Sequence, residues 1–405
     1  MHSLFDRTEL PLIIMVGGNS ADIAGYDSHA IQIAADALKS KGGGRIELSA
    51  GVFTLTGPVR LYSNIHLTGQ GDKTVLKKVD GFVSTFADDV DYGVNCAKVT
   101  DPSGFAVGMG ILINDTQHCK GWVTSTSKIA KVVGDTIYFD RLTLMDYKMV
   151  NDGTVSTASS MIEAIKVENV TVSNVLLDGN KGKNNKMDGC RGGAIYFHKA
   201  RSCKLENVEI RDYNGDGVSW QITRDISLDN VDVSGCTGIG MHPGTGSFNT
   251  TVKNCRSHHN GIDGLFVCWR VQNGVFSNNA FYENAASGIS IGHKDTGNLF
   301  EGNHIHTNGK AGIIVRREDL QNSADDNIYR NNIIEDNGVC RSGCGILFES
   351  QVKGNIIQGN TIRNSKDGNQ AAGIVSLYGY SDISVFDNIM TGHINCDIET
   401  TSQLK

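Results

Sequence analysis

The sequence predicts an all-β fold, a right-handed parallel β-helix with an N-terminal capping helix. A short motif built around asparagine recurs along the chain, and subtraction of neighbouring positions gives intervals of 23, 24, 25, 24, 29, 28 and 28 residues. The repeated residues are Asn207, Asn230, Asn254, Asn279, Asn303, Asn332, Asn360 and Asn388. A repeat of this length with short β-branched runs fits one coil of several strands and not the usual helix pair. The 48 glycines and only 4 prolines fit as well, because proline removes donors from paired strands.

The N-terminal region predicts the cap of this solenoid. Asp27 can cap a helix over about residues 30–40, which glycines 42–44 end. Alternating residues then predict strands over Arg45–Leu48, Val52–Leu55 and Val59–Leu67. We expect one domain over residues 1–405, with the cap and first strand in 1–45, early coils with insertions in 46–160, and regular coils in 161–405. The irregular stretch 82–152 is expected to supply insertions that wall a ligand groove.

Each later repeat continues with a glycine and an alternating strand. The first and third residues after the glycine should point inward, and the second and fourth outward. The first residues form an apolar column: Ala194, Val218, Ile239, Leu265, Ile289, Ile313, Ile346 and Ile374. Stacked coils therefore predict one buried column and one outward-facing surface on the same sheet.

Residues 27–71 contain the segments A-I-Q-I-A-A-D-A-L and G-G-G-R-I-E-L-S-A-G-V-F-T-L. They resemble the opening of the pectate-lyase-like β-helix superfamily, which includes polysaccharide lyases, glycoside hydrolases, epimerases, fructotransferases and phage tailspikes. The resemblance covers nearly the whole chain at the level of the fold. It implies a carbohydrate partner without fixing the reaction, because function depends on the site and not on the scaffold.

Composition excludes several other classes. The net charge of −7 argues against nucleic-acid binding, and no apolar run is long enough to span a membrane. The run at residues 10–16 has no basic leader and predicts a buried strand, so a cytoplasmic location is favoured as numbered, and secretion if a signal peptide was removed. The ten scattered cysteines predict free thiols that serve as small core residues. Whether copies of the chain assemble into a homo-oligomer is left open.

Aromatic and charged residues converge near the outward face over about four coils. The predicted substrate-binding residues are Trp220, Trp269, Arg270, His293, Lys294, Arg316, Arg317 and Glu318. An aromatic ring beside charged groups suits a sugar, whose faces stack while its hydroxyls accept and donate hydrogen bonds. The alternative is an ordinary polar sheet face.

Two aspartates predict a mechanism. Asp216 and Asp263 each precede the glycine of their coil, two coils apart, so their backbones should lie roughly 9–10 Å apart. That is near the carboxyl separation of roughly 6.5–9.5 Å in inverting glycosidases. His242, on the coil between them, could tune either acid or contact substrate. The alternative is that both aspartates only shape turns.

These segments also resemble parts of the polygalacturonase signature. Asn214-Gly215-Asp216 is similar to its N-T-D element, Ile262-Asp263 to half of its paired aspartates, residues 288–292 to its glycine-leucine-serine-isoleucine-glycine stretch, and residues 314–317 to its R-I-K. The chain departs from that pattern at Ile262, where an acid is expected, at Ser287, where a histidine is expected, and by an extra coil. A standard polygalacturonase is therefore not expected.

The two aspartates thus predict a glycoside hydrolase that cleaves glycosidic bonds of a poly- or oligosaccharide. Two rival functions remain open. A uronate lyase or C5-epimerase would use the basic residues named above as base and as partner of the sugar carboxylate. The D-P-H-D motif of alginate epimerases is absent, and Met241-His242-Pro243-Gly244 is similar to it only in part. The other rival is a non-catalytic, tailspike-like carbohydrate binder. We predict no metal and no cofactor; calcium would need clustered carboxylates, and no convincing cluster is present.

Overall fold

Successive turns of the chain stack as coils of a parallel β-helix. The computed structural model describes residues 12–339 and 343–400. In these residues eleven parallel strands form one sheet, here called the face sheet. In axial order they are Val59–Arg60, Ile162–Ile165, Ile195–His198, Val218–Gln221, Met241–Gly244, Leu265–Phe266, Ile289–Ile291, Ala311–Val315, Gly343–Phe348, Gln370–Ser376 and Cys396–Thr400.

A second sheet, the back sheet, closes the other side of the coils. Its early strands are Ile13–Gly17, Ile23–Ala24, Gly44–Leu48, Gly51–Leu55, Ile65–Lys78, Thr171–Asp178, Lys204–Arg211 and Ser227–Ser234. The last of these pairs with two short strands of the next coil. From there one series contains Thr251–Lys253, Val275–Ser277, Leu299–Glu301, Ile328–Arg330, Asn355–Gln358 and Ile383–Phe386. The other contains Arg256–His258, Ala280–Tyr282, His304–His306, Ile333–Glu335, Thr361–Arg363 and Ile389–Thr391.

One continuous apolar core fills the coils. Equivalent rings stack within it: the centroids of Phe276 and Phe300 are 5.0 Å apart and those of Phe300 and Tyr329 are 5.3 Å apart. Such stacking follows from parallel pairing, which places the same position of each coil directly above the last. The coils therefore share a single interior.

The predicted inward column is correct in six coils and wrong in two. Strand register pairs Val218 with Ile195 on one side and with Met241 on the other. These two residues replace Ala194 and Ile239 in the column.

In the first turn Ala194, and no glycine, occupies the position equivalent to Gly217. In the second turn that position is Gly240 and not Gly238. In the first of these coils the shift is one residue, so Phe197, which pairs with Trp220, points inward and not outward. In the second coil the shift is two residues, and the outward position of His242 is unchanged.

The repeated asparagines form two ladders and not one. Asn279 donates from Nδ2 to Asn303 Oδ1 at 3.0 Å, Asn303 does the same to Asn332, and the buried series continues to Asn360 and Asn388. The earlier three, Asn207, Asn230 and Asn254, are exposed residues with positive φ, one position earlier in the coil. The split of the back-sheet strands occurs at this turn, where the buried amides bond the backbone of neighbouring coils.

The N-terminal helix is confirmed over Ser28–Ser40, two residues longer at its start than expected. Asp27 accepts a hydrogen bond from the Ala30 backbone N–H at 2.8 Å. The buried side chains of the helix are Ala30, Ile31, Ala34, Ala35 and Leu38, and they belong to the coil core. The helix thus covers the first coil, as a solenoid end requires.

The stretch between residues 82 and 157 does not form coils. It folds as a separate antiparallel sheet, here called the insertion, with its own hydrophobic cluster. The strands are Val83–Thr85, Cys96–Lys98, Gly110–Asn114, Ser125–Val133, Thr136–Phe139 and Thr154–Ser156, with 3₁₀ turns at Gly121–Val123 and Met149–Asn151. Further 3₁₀ turns lie at Lys181–Lys183 and Leu320–Asn322.

Candidate active site

Asp216 and Asp263 occupy equivalent positions two coils apart. Asp216 lies two residues before Val218, and Asp263 lies two residues before Leu265. Val218 pairs with Met241, and Met241 pairs with Leu265, so both positions belong to one register column. Both carboxyl groups are buried at 4% and 5% residue exposure. The stacking on which the sequence argument depended therefore holds at both aspartates.

The two carboxyl groups make the same backbone contact. Asp216 Oδ1 accepts a hydrogen bond from the Ile239 N–H at 2.9 Å, and Asp263 Oδ1 accepts one from the Ser287 N–H at 2.8 Å. In each case the donor is the equivalent residue of the next coil. Both carboxyls therefore lean in the same direction along the axis, and their separation follows the coil spacing.

The second oxygen distinguishes the two aspartates. Asp216 Oδ2 lies 2.7 Å from Nδ1 of His242, which is itself buried and packs edge-on against Phe266. Gly189 closes this pair from above: a Cβ at that position would stand 1.7 Å from Asp216 Oδ2 and 2.6 Å from His242 Nδ1. Only glycine allows the covering segment to approach so closely.

Burial raises the pKa of Asp263 to about 6, and the charge of Asp216 adds a smaller upward contribution. The Ser287 hydrogen bond and the positive charges of Arg316 and Lys310 act in the opposite direction. The carboxyl of Asp263 therefore retains its proton to a higher pH than an exposed aspartate.

Two adjoining cavities open at these groups. One, of about 410 Å³, is lined by Asp216, His242, Trp122 and Trp269 among others. The other, of about 640 Å³, is lined by Asp263 and further residues of the next coils. Phe266 lines both and thus forms part of the ridge between them. A chain-like ligand lying along the sheet would contact both aspartates.

Three predicted substrate-binding residues form one cluster. The rings of Trp269 and His293 stack with centroids 4.4 Å apart and an interplanar angle of 23°. His293 Nδ1 lies 3.1 Å from Glu318 Oε2. Trp269 is 48% exposed, so this aromatic platform is accessible at the rim of the smaller cavity.

Arg316 reaches back across two coils. Its Nη1 donates to Ser290 Oγ at 2.9 Å and its Nη2 to the Val267 carbonyl at 2.8 Å. The guanidinium also lies over the Phe266 ring, 4.1 Å from the centroid. Asp295 is 3.7 Å away and fully buried, and burial raises its pKa to about 7. Arg316 is thus fixed in place on the wall of the larger cavity.

Trp220 is not a substrate-binding residue, which corrects the sequence prediction. It is third after its glycine, so the pleat turns it inward, where it is fully buried and donates from Nε1 to Thr250 Oγ1. Arg270, Lys294 and Arg317 are exposed. They lie at the edge of the face sheet, outside the two cavities.

The sequence predicts that the stretch 82–152 walls a ligand groove, but it does not identify the individual residues that cover the smaller cavity. Trp122 comes from the insertion, and residues 186–190 come from a loop inserted between coils. The guanidinium of Arg191 lies 4.7 Å from the Trp122 ring centroid and bonds its carbonyl, which attaches the insertion to the coils. An aromatic flanked by lysine and glycine near residue 122 gave no periodic signal that could place it here.

No group of three or more potential metal ligands occurs among residues 12–339 and 343–400. In the same residues no helix is long and apolar enough to cross a membrane. The described cysteines include four buried ones, at positions 203, 236, 255 and 344. Cys340, four positions before Cys344, lies outside the described residues.

Comparison with known proteins bears on the fold first. A family model described as the right handed beta helix region matches residues 156–327. The chain is a right-handed β-helix protein. The expected right-handed parallel β-helix fold is therefore confirmed.

Two solved structures extend the match over this β-helix protein's length. The A-module of the mannuronan C-5 epimerase AlgE4 from Azotobacter vinelandii aligns with a TM-score of 0.59 and 18% identity, covering 92% of this chain and 93% of that one. A polygalacturonase from Erwinia carotovora aligns with a TM-score of 0.52 and 15% identity, covering 97% and 98%. At this identity the likeness concerns the fold alone.

A curated relative matches at the level of sequence. The mannuronan C5-epimerase AlgE3 of Azotobacter vinelandii is 25% identical over 276 residues, which is 66% of this β-helix chain. The match spans only 10% of the length of that relative.

Proposed function

We propose that this protein hydrolyses glycosidic bonds of a poly- or oligosaccharide with inversion at the anomeric carbon. The proposal depends on one observation, the pair of aspartates in equivalent positions two coils apart with different surroundings. Of two such carboxyl groups, one that burial keeps protonated can act as the acid while its partner acts as the base. Asp263 is assigned as the acid and Asp216 as the base.

Asp263 is suited to donate a proton. Its pKa of about 6 keeps a substantial fraction protonated in mildly acidic solution. One oxygen accepts the Ser287 N–H, and the group lines the larger cavity. In the proposed step, the Asp263 proton passes to the leaving glycosidic oxygen as the bond to the anomeric carbon breaks.

Asp216 is suited to activate water. Its Oδ1 accepts a hydrogen bond from the Ile239 N–H, and its Oδ2 lies 2.7 Å from His242 Nδ1, where an imidazole N–H would donate to the carboxylate. Each oxygen has a further lone pair for a water proton. In the proposed step the carboxylate takes that proton while the water oxygen attacks the anomeric carbon.

The spacing agrees with inversion. Two coils correspond to roughly 9–10 Å between equivalent backbone atoms, and both carboxyls lean the same way. Inverting glycosidases place their carboxyls roughly 6.5–9.5 Å apart, which leaves room for the water. The Trp269–His293 platform would stack against a sugar ring at the rim, and Arg316 would contact its hydroxyls or an acidic substituent.

Reducing-end release from a panel of neutral and acidic polysaccharides tests the proposal. We expect new reducing ends without the ultraviolet absorbance of an unsaturated uronate, and an inverted anomer in the first NMR spectra. Asp263→Asn should lower kcat at least about 100-fold, since an acid contributes that much. Activity should fall as the pH rises through about 6, where Asp263 loses its proton.

The control variant is Asp135→Asn, an exposed aspartate of the insertion, which should keep full activity. Stability separates catalysis from folding. Because the folded pKa of Asp263 lies above the unfolded value of about 4, its ionisation costs stability between about pH 4 and 6. Asp263→Asn should therefore be at least as stable as the parent at pH 8. Full activity in Asp263→Asn would contradict the proposal.

A second candidate is C5 chemistry on a uronate polymer, favoured by the sequence match to a mannuronan C5-epimerase. Here His242, oriented by Asp216, would remove the C5 proton, and Arg316 would neutralise the sugar carboxylate. An epimerase would incorporate solvent deuterium at C5 without chain cleavage. A lyase would generate the unsaturated uronate. Either product, without new saturated reducing ends, would favour this candidate over hydrolysis.

A further inference from the structure

A row of cations follows one edge of the face sheet, outside both cavities. The turns after six successive face-sheet strands each contain a left-handed residue. This residue lies two positions before a bridged series that runs from Glu168 through Arg201, Arg224, Phe248, Gln272 and Thr296. We call these left-handed positions the turn column: Lys166, Lys199, Ile222, Gly246, Arg270 and Lys294, with φ between 52° and 69°. Four of the six are cations.

The choice of residue in this column needs an explanation. Left-handed φ favours glycine and asparagine, which occupy the corresponding turn on the back sheet at Asn207 and Asn230. Lysine there gains nothing for the backbone. Lys166 and Lys199 are also neighbours on adjacent coils, since their preceding residues pair in register, and like charges in that position repel.

The first end of the turn column borders a groove of about 620 Å³. Four cations and one carboxylate line it, Lys166, Lys199, Arg201, Arg224 and Glu168, for a local net charge of +3 in a chain whose net charge is −7. Arg201 pairs with Glu168 at 2.6 Å. In the described part of the chain no carboxylate forms an ion pair with Lys166, Lys199 or Arg224.

Two further features indicate an anionic ligand. The guanidinium of Arg224 lies over the Phe248 ring, 5.2 Å from its centroid, so an aromatic surface borders the charge. The pKa of His198 at the same edge is lowered to about 4, first by burial and then by positive neighbours that include Lys199 and Lys166. The groove is therefore strongly positive and carries a hydrophobic wall.

The turn column connects this groove to the candidate active site. Its last two cations, Arg270 and Lys294, directly follow the stacked pair Trp269 and His293. Five coil steps separate the two ends, or about 24 Å. A polymer with one carboxylate per sugar has charges at intervals similar to those of the coils, so one extended chain could contact both ends.

We propose that the turn column and its groove bind the carboxylates of an acidic polysaccharide, a polyuronate that lies along the coil axis. This proposal rests on the proposed function, which identifies the site at Asp216 and Asp263 as the place where the bound polymer reacts. It assigns the substrate class of that site as anionic. It also assigns the groove as a distal subsite, which a polymer reaches and a short oligosaccharide does not.

Binding is measured in the full chain with Asp263→Asn to prevent turnover, with labelled polygalacturonate and polymannuronate at low and high salt. The test variant carries Lys166→Gln, Lys199→Gln and Arg224→Gln. The control variant carries Lys73→Gln, Lys77→Gln and Lys204→Gln, exposed lysines of the back sheet, so both have the same net charge. We expect about tenfold weaker polymer binding for the test variant at low salt, less than about twofold for the control, and a flatter salt dependence.

Lys166→Arg and Lys199→Arg should preserve binding, because both substitutions keep the positive charge that the polymer contacts. With active enzyme, the test variant should lose activity on polymer and retain it on a trisaccharide. Unchanged polymer binding by the test variant overturns the proposal, as does equal loss in the control or equal binding of neutral dextran. Binding of dextran sulfate without polyuronate overturns the carboxylate assignment. A chain that binds polyuronate without altering it would contradict the proposed function and leave this one standing.

Discussion

The stacked coils and the insertion are both built from short strands, yet they are specified in different ways. In the coils, a strand pairs with its own equivalent in the next repeat, as Val275 does with Leu299. In the insertion, Thr154 pairs with Thr85, about seventy residues away and without a repeat between them. The first pairing can be inferred from a periodic sequence; the second depends on packing around a separate core.

The comparison teaches where cooperativity should lie. Each coil contacts its neighbours through shared ladders and a continuous interior, so a local defect should spread along the axis. The insertion has its own hydrophobic cluster and joins the coils through polar contacts, such as Arg141 to Glu163 at 2.7 Å. We expect it to open independently of the coils.

The largest effect is expected from Asn303→Ala in the buried ladder. The side chain makes four hydrogen bonds, accepting from the N–H and Nδ2 of Asn279 and donating to Phe276 O and Asn332 Oδ1. Their loss should lower the free energy of unfolding by about 3 to 5 kcal/mol. Asn230→Gly, in the exposed ladder, should cost less than about 1 kcal/mol. Urea denaturation compares the two, and equal effects would contradict the distinction between the ladders.

A smaller and more local effect is expected from Ile137→Ala. Ile137 is fully buried in the core of the insertion, and its truncation should cost about 2 to 4 kcal/mol. Hydrogen exchange should quicken at amides of the insertion and remain unchanged in the coils. Ile305→Ala, at a fully buried coil position, should instead quicken exchange in several neighbouring coils. A uniform response to Ile137→Ala would show that the two regions unfold together.

The smallest effect is expected at the joint between the regions. Lys78 is fully buried, donates to Ser159 O at 2.9 Å and Asn214 Oδ1 at 3.1 Å, and burial lowers its pKa to about 7. In Lys78→Met the lost hydrogen bonds and the relieved desolvation oppose one another, so the net change at pH 7 should be about 1 kcal/mol.

The pH dependence of the unfolding free energy tests whether the pKa of Lys78 is lowered in the folded chain. Between about pH 7 and pH 10.4 the folded chain binds fewer protons at Lys78 than the unfolded chain, so its contribution to stability rises with pH. Over that pH window the unfolding free energy of the parent should increase relative to that of Lys78→Met. A difference that is constant with pH would mean that the ammonium titrates as it does in water.

Prediction from sequence succeeded where a residue's role follows from the pleat and the repeat. Asp216, Asp263 and His242 were placed on neighbouring coils because their positions relative to the glycines fixed their stacking. The prediction for Trp220 was wrong although the same pleat points it inward, because aromatic character was given more weight than parity. Asn254 and Asn279 occupy neighbouring columns that are one residue apart. The repeat spacing does not reveal this shift, because both columns contain asparagine.

The individual residues that cover the site could not be found in this way, although the stretch 82–152 was expected to wall a groove. Trp122 reaches the smaller cavity only because the insertion packs against the coils, and nothing in its local sequence encodes that docking. Gly189 is one of 48 glycines, and its closeness to Asp216 and His242 is a property of three dimensions. Residues of an aperiodic segment become part of a site through tertiary contacts that a repeat does not describe.

The whole coil that separates the two aspartates has a stereochemical consequence. Deleting one turn, from Val218 through Gly240, would bring Asp216 and Asp263 onto adjacent rungs, about 4.8 Å apart. That is close to the roughly 5 Å between nucleophile and acid in retaining glycosidases, which form a covalent sugar–enzyme intermediate. In a scaffold of this kind, the count of turns between two acids selects which anomer is released.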